Sequence, residues 1–549
     1  MNRGKNVFLG LILIISFIIM SCTKRENVDL IVVNAKIYTV DSTMSITNSM
    51  AIREGRIVET GTREVIAAKY QSNNLIDAGD KFIYPGFIDP HCHFLSYGLS
   101  LSRAALSGAT TWNEVVQRLV DHQKQFPTEW VLGRGWNQNE WDIKEFPSNE
   151  LLNKTFPNNP VLITRIDGHA AIANSKALEI AGVSERIKVD GGEIVIKNGK
   201  PTGVLIDNAI ELVQKFVPEP DERIKQQALI KAQQNCFAVG LTSVSEAGAD
   251  FTDVQRFDSM QKSGTLKMRI YAMLNPNESN FSNFLSKGVY VTDRLTVRSI
   301  KLFADGALGS RGALLIKPYS DDPKNSGLQV ESREKLTEHC AKAFKAGYQV
   351  NTHCIGDAAV RLMLDIYSGY LTKDNDLRWR IEHSQVVDPA DLPRYGEYNV
   401  IPSVQTTHAT SDMYWADERL GERIKYAYAY QDLLRQNGWL PNGSDFPIEN
   451  INPLFGFFAG VVRKDHKGFP KEGFQIENAI TREQALQAMT IWAAKSNFDE
   501  KTRGSLEPNK YADFIILDKD IMSIPETEVP TARIISTYIS GEKVYTINE

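Results

Sequence analysis

His91 and His93 stand two residues apart in FIYPGFIDPHCHF, residues 82–94. On a β-strand, residues i and i+2 share a face, so this spacing aims both imidazoles at one point and turns Cys92 away. Imidazole is the commonest metal ligand in proteins, and Zn²⁺ takes it at about 2.0–2.1 Å. A chance His-x-His in a loop would read the same way in isolation. Three more side chains close apolar runs: His353 in YQVNTHCIGD, His383 in WRIEHSQ and Asp445 in PNGSDFP. Singly, each histidine reads better as a satisfied core residue. Jointly, four imidazoles and a carboxylate at strand ends point to a divalent-metal site. Lys301, in RSIKLFADGALGSRGA, leaves two readings open. An ammonium cannot ligate a cation, so a lysine there must be neutral or a carbamate; the alternative is a strand lysine paired with Asp305.

The elements that must position these groups alternate between strand and helix, an α/β pattern of parallel βα units. Strands are expected at 297–304, 347–353, 378–383, 400–405 and 438–445. Helices are expected at 222–239, 332–346, 356–369 and 482–495, the last opening at Thr481 with Glu483 and Gln484 in its first turn. A (β/α)₈ barrel takes about 250 residues and carries functional side chains at the C-terminal ends of its strands. Residues 81–500 hold such a barrel with an insertion between His93 and Lys301, part of which, 188–204, reads as a β-hairpin. Residues 22–80 and 501–549 are short strands separated by turns, able to pair into one small β-sandwich.

A chain of 549 residues exceeds one ordinary core, which fits a large domain with a smaller one. Apolar content of 42% and charged content of 23% argue against disorder. A net charge of −5 with no long basic block argues against nucleic acid as a partner. Arg3 and Lys5 precede Val7–Met20, an apolar stretch too short for a membrane span of about 20 residues. The following Ser21-Cys22 resembles a bacterial lipobox, which implies a signal peptide over 1–21, lipidation of Cys22 and a cell-envelope protein whose membrane contact is that anchor alone. Cys92, Cys236, Cys340 and Cys354 are scattered and expected as free thiols.

Eight ordered motifs resemble the metal-dependent amidohydrolase superfamily, in its YtcJ-like (amidohydrolase-3) branch, which includes N-substituted formamide deformylases. They are PGFIDPHCHF, GRGWNQNEW (133–141), RIDGHAAIANSKAL (165–178), IKLFADGALGSRGA (300–313), HCIGDAAV (353–360), RIEHSQ (380–385), SVQTTHATSDMYWADERLG (403–421) and NGSDFPIENINP (442–453). The resemblance implies a (β/α)₈ barrel with a β-sandwich, and one or two divalent ions, Zn²⁺ by expectation, on His91, His93, His353, His383 and Asp445. It places Lys301 where many members carry a carboxylated, metal-bridging lysine. The implied reaction is hydrolysis of a non-peptide or cyclic amide C–N bond in a small molecule. A metal-activated hydroxide attacks, and Asp445 serves as general base, then acid.

His169, Trp136, His408 and Arg419 are candidates for substrate contact, with Trp141 as a second aromatic wall; His122, His339 and His466 read as structural or exposed. Two other functions compete. One is a lipid-anchored binding protein without turnover, disfavoured by the intact Asp445. The other is a deaminase of the same superfamily, disfavoured because Cys354-Ile355-Gly356-Asp357 after His353 lacks the expected glutamate. Association with further copies of the chain stays open.

Overall fold

The computed structural model describes residues 25–547. The expected leader and Cys22 lie outside the described residues. Seven parallel strands follow one another around a barrel: β1 (Phe87–Cys92), β2 (Leu241–Ala249), β3 (Arg269–Leu274), β4 (Leu295–Phe303), β5 (Gln349–Cys354), β6 (Arg380–His383) and β7 (Ile401–Ser403). Nearly all their residues are buried, as expected of strands packed on one face by the barrel interior and on the other by helices.

The stretch expected as a strand at 438–445 closes the barrel without forming a regular one. Val404 N–H donates to Pro441 O (3.1 Å) and Gly443 N–H to Val404 O (2.9 Å) on one edge. On the other edge, Asp445 N–H donates to His91 O and His93 N–H to Phe446 O, both at 2.8 Å. Asp445 itself is left-handed (φ 60°), which ends the extended run and turns its carboxylate toward β1.

Helices Glu222–Ala238, Arg333–Ala346 and Asp357–Tyr367 stand where the apolar spacing puts them. The helix expected at 482–495 opens with a capping box between Thr481 and Gln484, then splits into Arg482–Ala488 and Ile491–Ser496. The break has a tertiary cause. Ala488 O accepts from Asn442 N–H (3.0 Å) and Met489 O from Ile88 N–H (2.9 Å), so these carbonyls serve the barrel strands instead of the helix.

The surplus between β1 and β2 is larger in structure than the expected hairpin. It forms a six-stranded sheet in the order 192–197, 200–207, 170–173, 161–165, 131–136 and 104–105, with its own apolar clusters. Strand Ala170–Ala173 and strand Lys200–Asp207 run antiparallel, which brings His169 and Asp207 to one end of the sheet.

The two chain ends meet in one hydrogen-bonded mixed sheet of eight strands, in the order 542–546, 534–539, 514–517, 75–85, 30–38, 49–53 and 56–61, with 46–47 beside 30–38. Phe514–Leu517 pairs antiparallel with Leu75–Pro85, which leads through Gly86 directly into β1. Arg269 at the start of β3 donates to both carboxylate oxygens of Asp513 (2.6 and 2.9 Å), tying the barrel to this sheet. Cys92, Cys236, Cys340 and Cys354 are buried and unpaired. No described helix is long and apolar enough to cross a membrane.

Candidate metal centre

His91 ends up at the bottom of the barrel mouth, fully buried, while the Cys92 thiol points the other way to Ser245 O on β2 (3.4 Å). The Nδ1–H of His91 donates to Glu382 (2.6 Å), which leaves Nε2 as the acceptor nitrogen on the cavity side. His383 is held the same way: its Nδ1–H donates to Gln405 Oε1 (2.8 Å). His353 is turned the other way round, with Nε2–H on Gly306 O (3.3 Å) and Nδ1 left over. Donor atoms of His91, His383 and Asp445 all lie within 4.8 Å of one another. His93 joins them through Asp445, its Nε2 3.3 Å from Oδ1, and the His353 ring lies 4.5 Å from that of His383. Of the five expected donors, three form a tight group and two flank it.

The charges around this point fit a cation. Burial pushes the Asp445 carboxyl up, but the neighbouring His93 and His91 outweigh burial and hold it well below the usual range. Its Oδ1 is buried and accepts no hydrogen bond. A buried anionic oxygen without a donor costs free energy unless something positive meets it. Burial pulls His353 and His383 well below the ordinary imidazole value, so both are neutral, the form that ligates. His383 (φ 72°) and Asp445 (φ 60°) both hold left-handed backbone, strain of the kind that collects at functional sites. The residues present therefore fit a bound divalent ion.

Lys301 on β4 is fully enclosed, with Nζ 3.1 Å from His91 Nε2, and burial pulls its ammonium below the ordinary lysine value. The alternative pairing with Asp305 is not what forms. Asp305 instead accepts the backbone N–H groups of Leu314, Ile355 and Gly356 at 2.7–3.0 Å, fixing the loop after β5.

The insertion sheet supplies one wall of the site. His169 donates Nδ1–H to Asp207 (2.6 Å), and its ring lies 4.7 Å from that of His353. Burial pulls the His169 imidazole down, but Asp207 outweighs burial and the balance is upward. Asp207 fits only because residue 306 has no side chain: a Cβ on Gly306 would come within 2.3 Å of Asp207 Oδ2. His408 also lines the cavity; burial brings it down to about 4, and its Nε2 has no partner.

Two expected substrate contacts are elsewhere. Trp136 is fully buried in the insertion core and donates Nε1–H to Ile163 O (3.0 Å). Arg419, 1% exposed, is engaged by Asp321 and by Asn139 Oδ1 (3.0 Å), where it braces the insertion against the barrel loops. Conversely, Glu382, Gln405 and Asp207 escaped the reading of the sequence. For Glu382 the signal was its place beside His383 in RIEHSQ; Asp207 and Gln405 carried none.

The cavity over this centre has a volume of about 170 Å³. Residues 74–545 match the amidohydrolase family as a whole. YtcJ of Bacillus subtilis (strain 168) is 31% identical over 522 residues, covering 93% of this chain and 98% of that protein. An N-substituted formamide deformylase of Arthrobacter pascens is 25% identical over 539 residues, covering 93% and 97%. The crystal structure of an uncharacterized metal-dependent hydrolase from Pyrococcus horikoshii superposes with a TM-score of 0.74 at 30% identity, covering 90% of this chain and 99% of that one. The chain thus belongs to the amidohydrolase family and is a metal-dependent hydrolase of carbon–nitrogen bonds other than peptide bonds.

Proposed function

We propose that the protein hydrolyses an amide-type C–N bond of a small molecule, with His91, His93, His353, His383 and Asp445 holding one or two Zn²⁺ ions. The observation that carries this is the group His91, His383 and Asp445. Their donor atoms lie within 4.8 Å, and each imidazole's other nitrogen is already committed to Glu382 or Gln405. Such partners fix the tautomer and the ring direction that ligation needs. A divalent ion bound there supplies Lewis-acid polarisation and makes water a competent nucleophile near neutral pH.

The chain's own residues then handle the protons and the substrate. Asp445 accepts the proton of the attacking water and delivers it to the leaving nitrogen, a role open to a carboxylate held ionised within reach of both. His169, oriented by Asp207, and His408 offer hydrogen bonds to the substrate's polar atoms. Lys301 carries a carbamate in this reading: its neutral amine forms an N–C bond to CO₂ and loses a proton, presenting oxygen where an ammonium would repel a cation. The substrate class by analogy is an N-substituted formamide, the substrate named for the Arthrobacter relative.

The same reading divides the chain into a leader (1–21), terminal β segments (22–80 and 501–549) that form a β-sandwich, and the barrel with its insertion (81–500). It also lipidates Cys22 and so places the protein in the cell envelope. The test of function is a panel of N-acyl compounds given to chelated and metal-restored protein. Hydrolysis lost on chelation and regained with Zn²⁺ is expected. A fully metal-loaded protein inert toward every N-acyl compound would overturn the reading. Metal stoichiometry with and without bicarbonate tests the carbamate, and palmitate labelling of a Cys22→Ser variant tests the anchor.

A further inference from the structure

The cavity above the metal centre is strongly acidic on the side not occupied by the imidazoles. Glu140, Asp167, Asp412 and Glu449 all line it, and the one lysine or arginine among its lining residues is Arg165. That guanidinium is fully engaged: it donates to Asp167 (2.6 Å), Gln138 Oε1 (2.7 Å) and Asn137 Oδ1 (2.7 Å). Arg134, behind this wall, donates to Ile166 O and does not line the cavity.

Glu140, Asp412 and Glu449 are left with neutral donors alone. Glu140 accepts from Asn137 Nδ2 (2.8 Å), and Glu449 from the Ser411 hydroxyl (2.6 Å). Asp412 accepts from Gln385 Nε2 (3.1 Å) and Tyr428 OH (2.8 Å), both on Oδ2. In each carboxylate the second oxygen receives no protein donor among the described residues. Burial pushes Asp412 up to about 7 against a weaker pull from Arg165, and Glu449 up to about 8, so no cation within reach offsets their desolvation. An independent feature marks the same cavity as built for a guest. His408, 8% exposed, lines it, and its buried Nε2 has no hydrogen-bond partner.

We infer that the substrate carries a cationic nitrogen, an alkylammonium or guanidinium, which Glu140, Asp412 and Glu449 hold while the amide faces the metal centre. This rests on the hydrolytic reading above and narrows its substrate class. A charged donor gives a carboxylate a stronger bond than the neutral donors it now has. It also discriminates well, because a neutral analogue leaves these carboxylates without a charged partner.

The test compares two N-formyl compounds of equal length on the Zn²⁺-loaded protein: N-formyl-1,4-diaminobutane and N-formyl-n-pentylamine, which replaces the ammonium by a methyl group. The ammonium compound is expected to show kcat/KM at least about tenfold higher, and Asp412→Asn or Glu449→Gln should shrink that ratio severalfold. Equal values, or a preference for the neutral compound, would overturn the inference even if the variants do not fold. Should neither compound be hydrolysed, the hydrolytic reading is what fails for formamides, and binding decides the present one. Calorimetry would then compare n-butylammonium with n-butanol and butanoate. Tighter binding of the ammonium supports the inference, and equal or weaker binding sinks it.

Discussion

The Nδ1 of His91 lies 2.6 Å from Oε2 of Glu382, and both side chains are fully buried. Glu382 neighbours His383 on β6, and four strands separate β6 from β1 in the hydrogen-bonded order of the sheet. The barrel interior brings the pair together. A buried carboxylate there keeps the proton on Nδ1 and the lone pair on Nε2, facing Asp445 and Lys301.

Glu382→Gln keeps the size of this partner and removes its charge. Loss of an outer-shell carboxylate typically lowers metal affinity about 10–100-fold. That drop is expected in a competition titration against a chromogenic chelator. Unchanged affinity would show that Glu382 is structural and does not tune His91.

Asp445→Asn should leave the fold largely intact, because its backbone hydrogen bond to His91 O survives the substitution. Turnover should fall by at least about 10²–10⁴-fold, the usual contribution of a proton-transfer group. Circular dichroism and kcat measured on one preparation separate the two effects. A variant with wild-type kcat would remove Asp445 from the mechanism.

Gly443 packs its Cα against β1 so closely that an added Cβ would lie 2.6 Å from Asp89 Oδ1 and 3.0 Å from His91 N. Asp89 in turn accepts from the Ser444 hydroxyl (2.6 Å), which fixes the turn carrying Asp445. Gly443→Ala should cost about 1–3 kcal/mol in stability, as overpacking does. It should also weaken metal binding, since the Asp445 turn must move off β1. Urea unfolding and metal titration of the variant check both halves.

The Arg269–Asp513 pair carries the pH prediction. Burial alone would raise the Asp513 carboxyl, but Arg269 outweighs burial and holds it below the ordinary value. An aspartate in the unfolded chain titrates near about 3.9. The pair's contribution is therefore complete above that pH and is lost as pH falls through the lower, folded value. Asp513→Asn should cost about 3–5 kcal/mol near neutrality, because Arg269 is left buried and unpaired. It should also flatten the loss of stability in the acid range. Urea midpoints from neutrality down to strongly acidic pH, for both proteins, would show parallel slopes if this assignment were wrong.

The sequence by itself determined the elements and the chemistry they bear. The His-x-His spacing, the donors at the ends of apolar runs and the capping signal at Thr481 are local patterns, and local patterns survive in one dimension. The barrel strands read at 297–304, 347–353, 378–383 and 400–405, and three of the four expected helices, stand where period and termination signals put them, whereas Leu241–Ala249 and Arg269–Leu274 were not read and 438–445 forms no regular strand. Tertiary structure decided what depends on partners far along the chain. Trp136 and Arg419 looked available for substrate, but Ile163 O, Asp321 and Asn139 engage their polar atoms, and no local signal reports such partners. The helix break after Ala488 arises because barrel strands claim its carbonyls, and the left-handed turns at His383 and Asp445 are tolerated because surrounding contacts impose them. The insertion sheet, which sets His169 against His353, exists only once six separate strands have paired. Which residues bear reactive groups is written in the chain; which of those groups remain free to react is settled by packing.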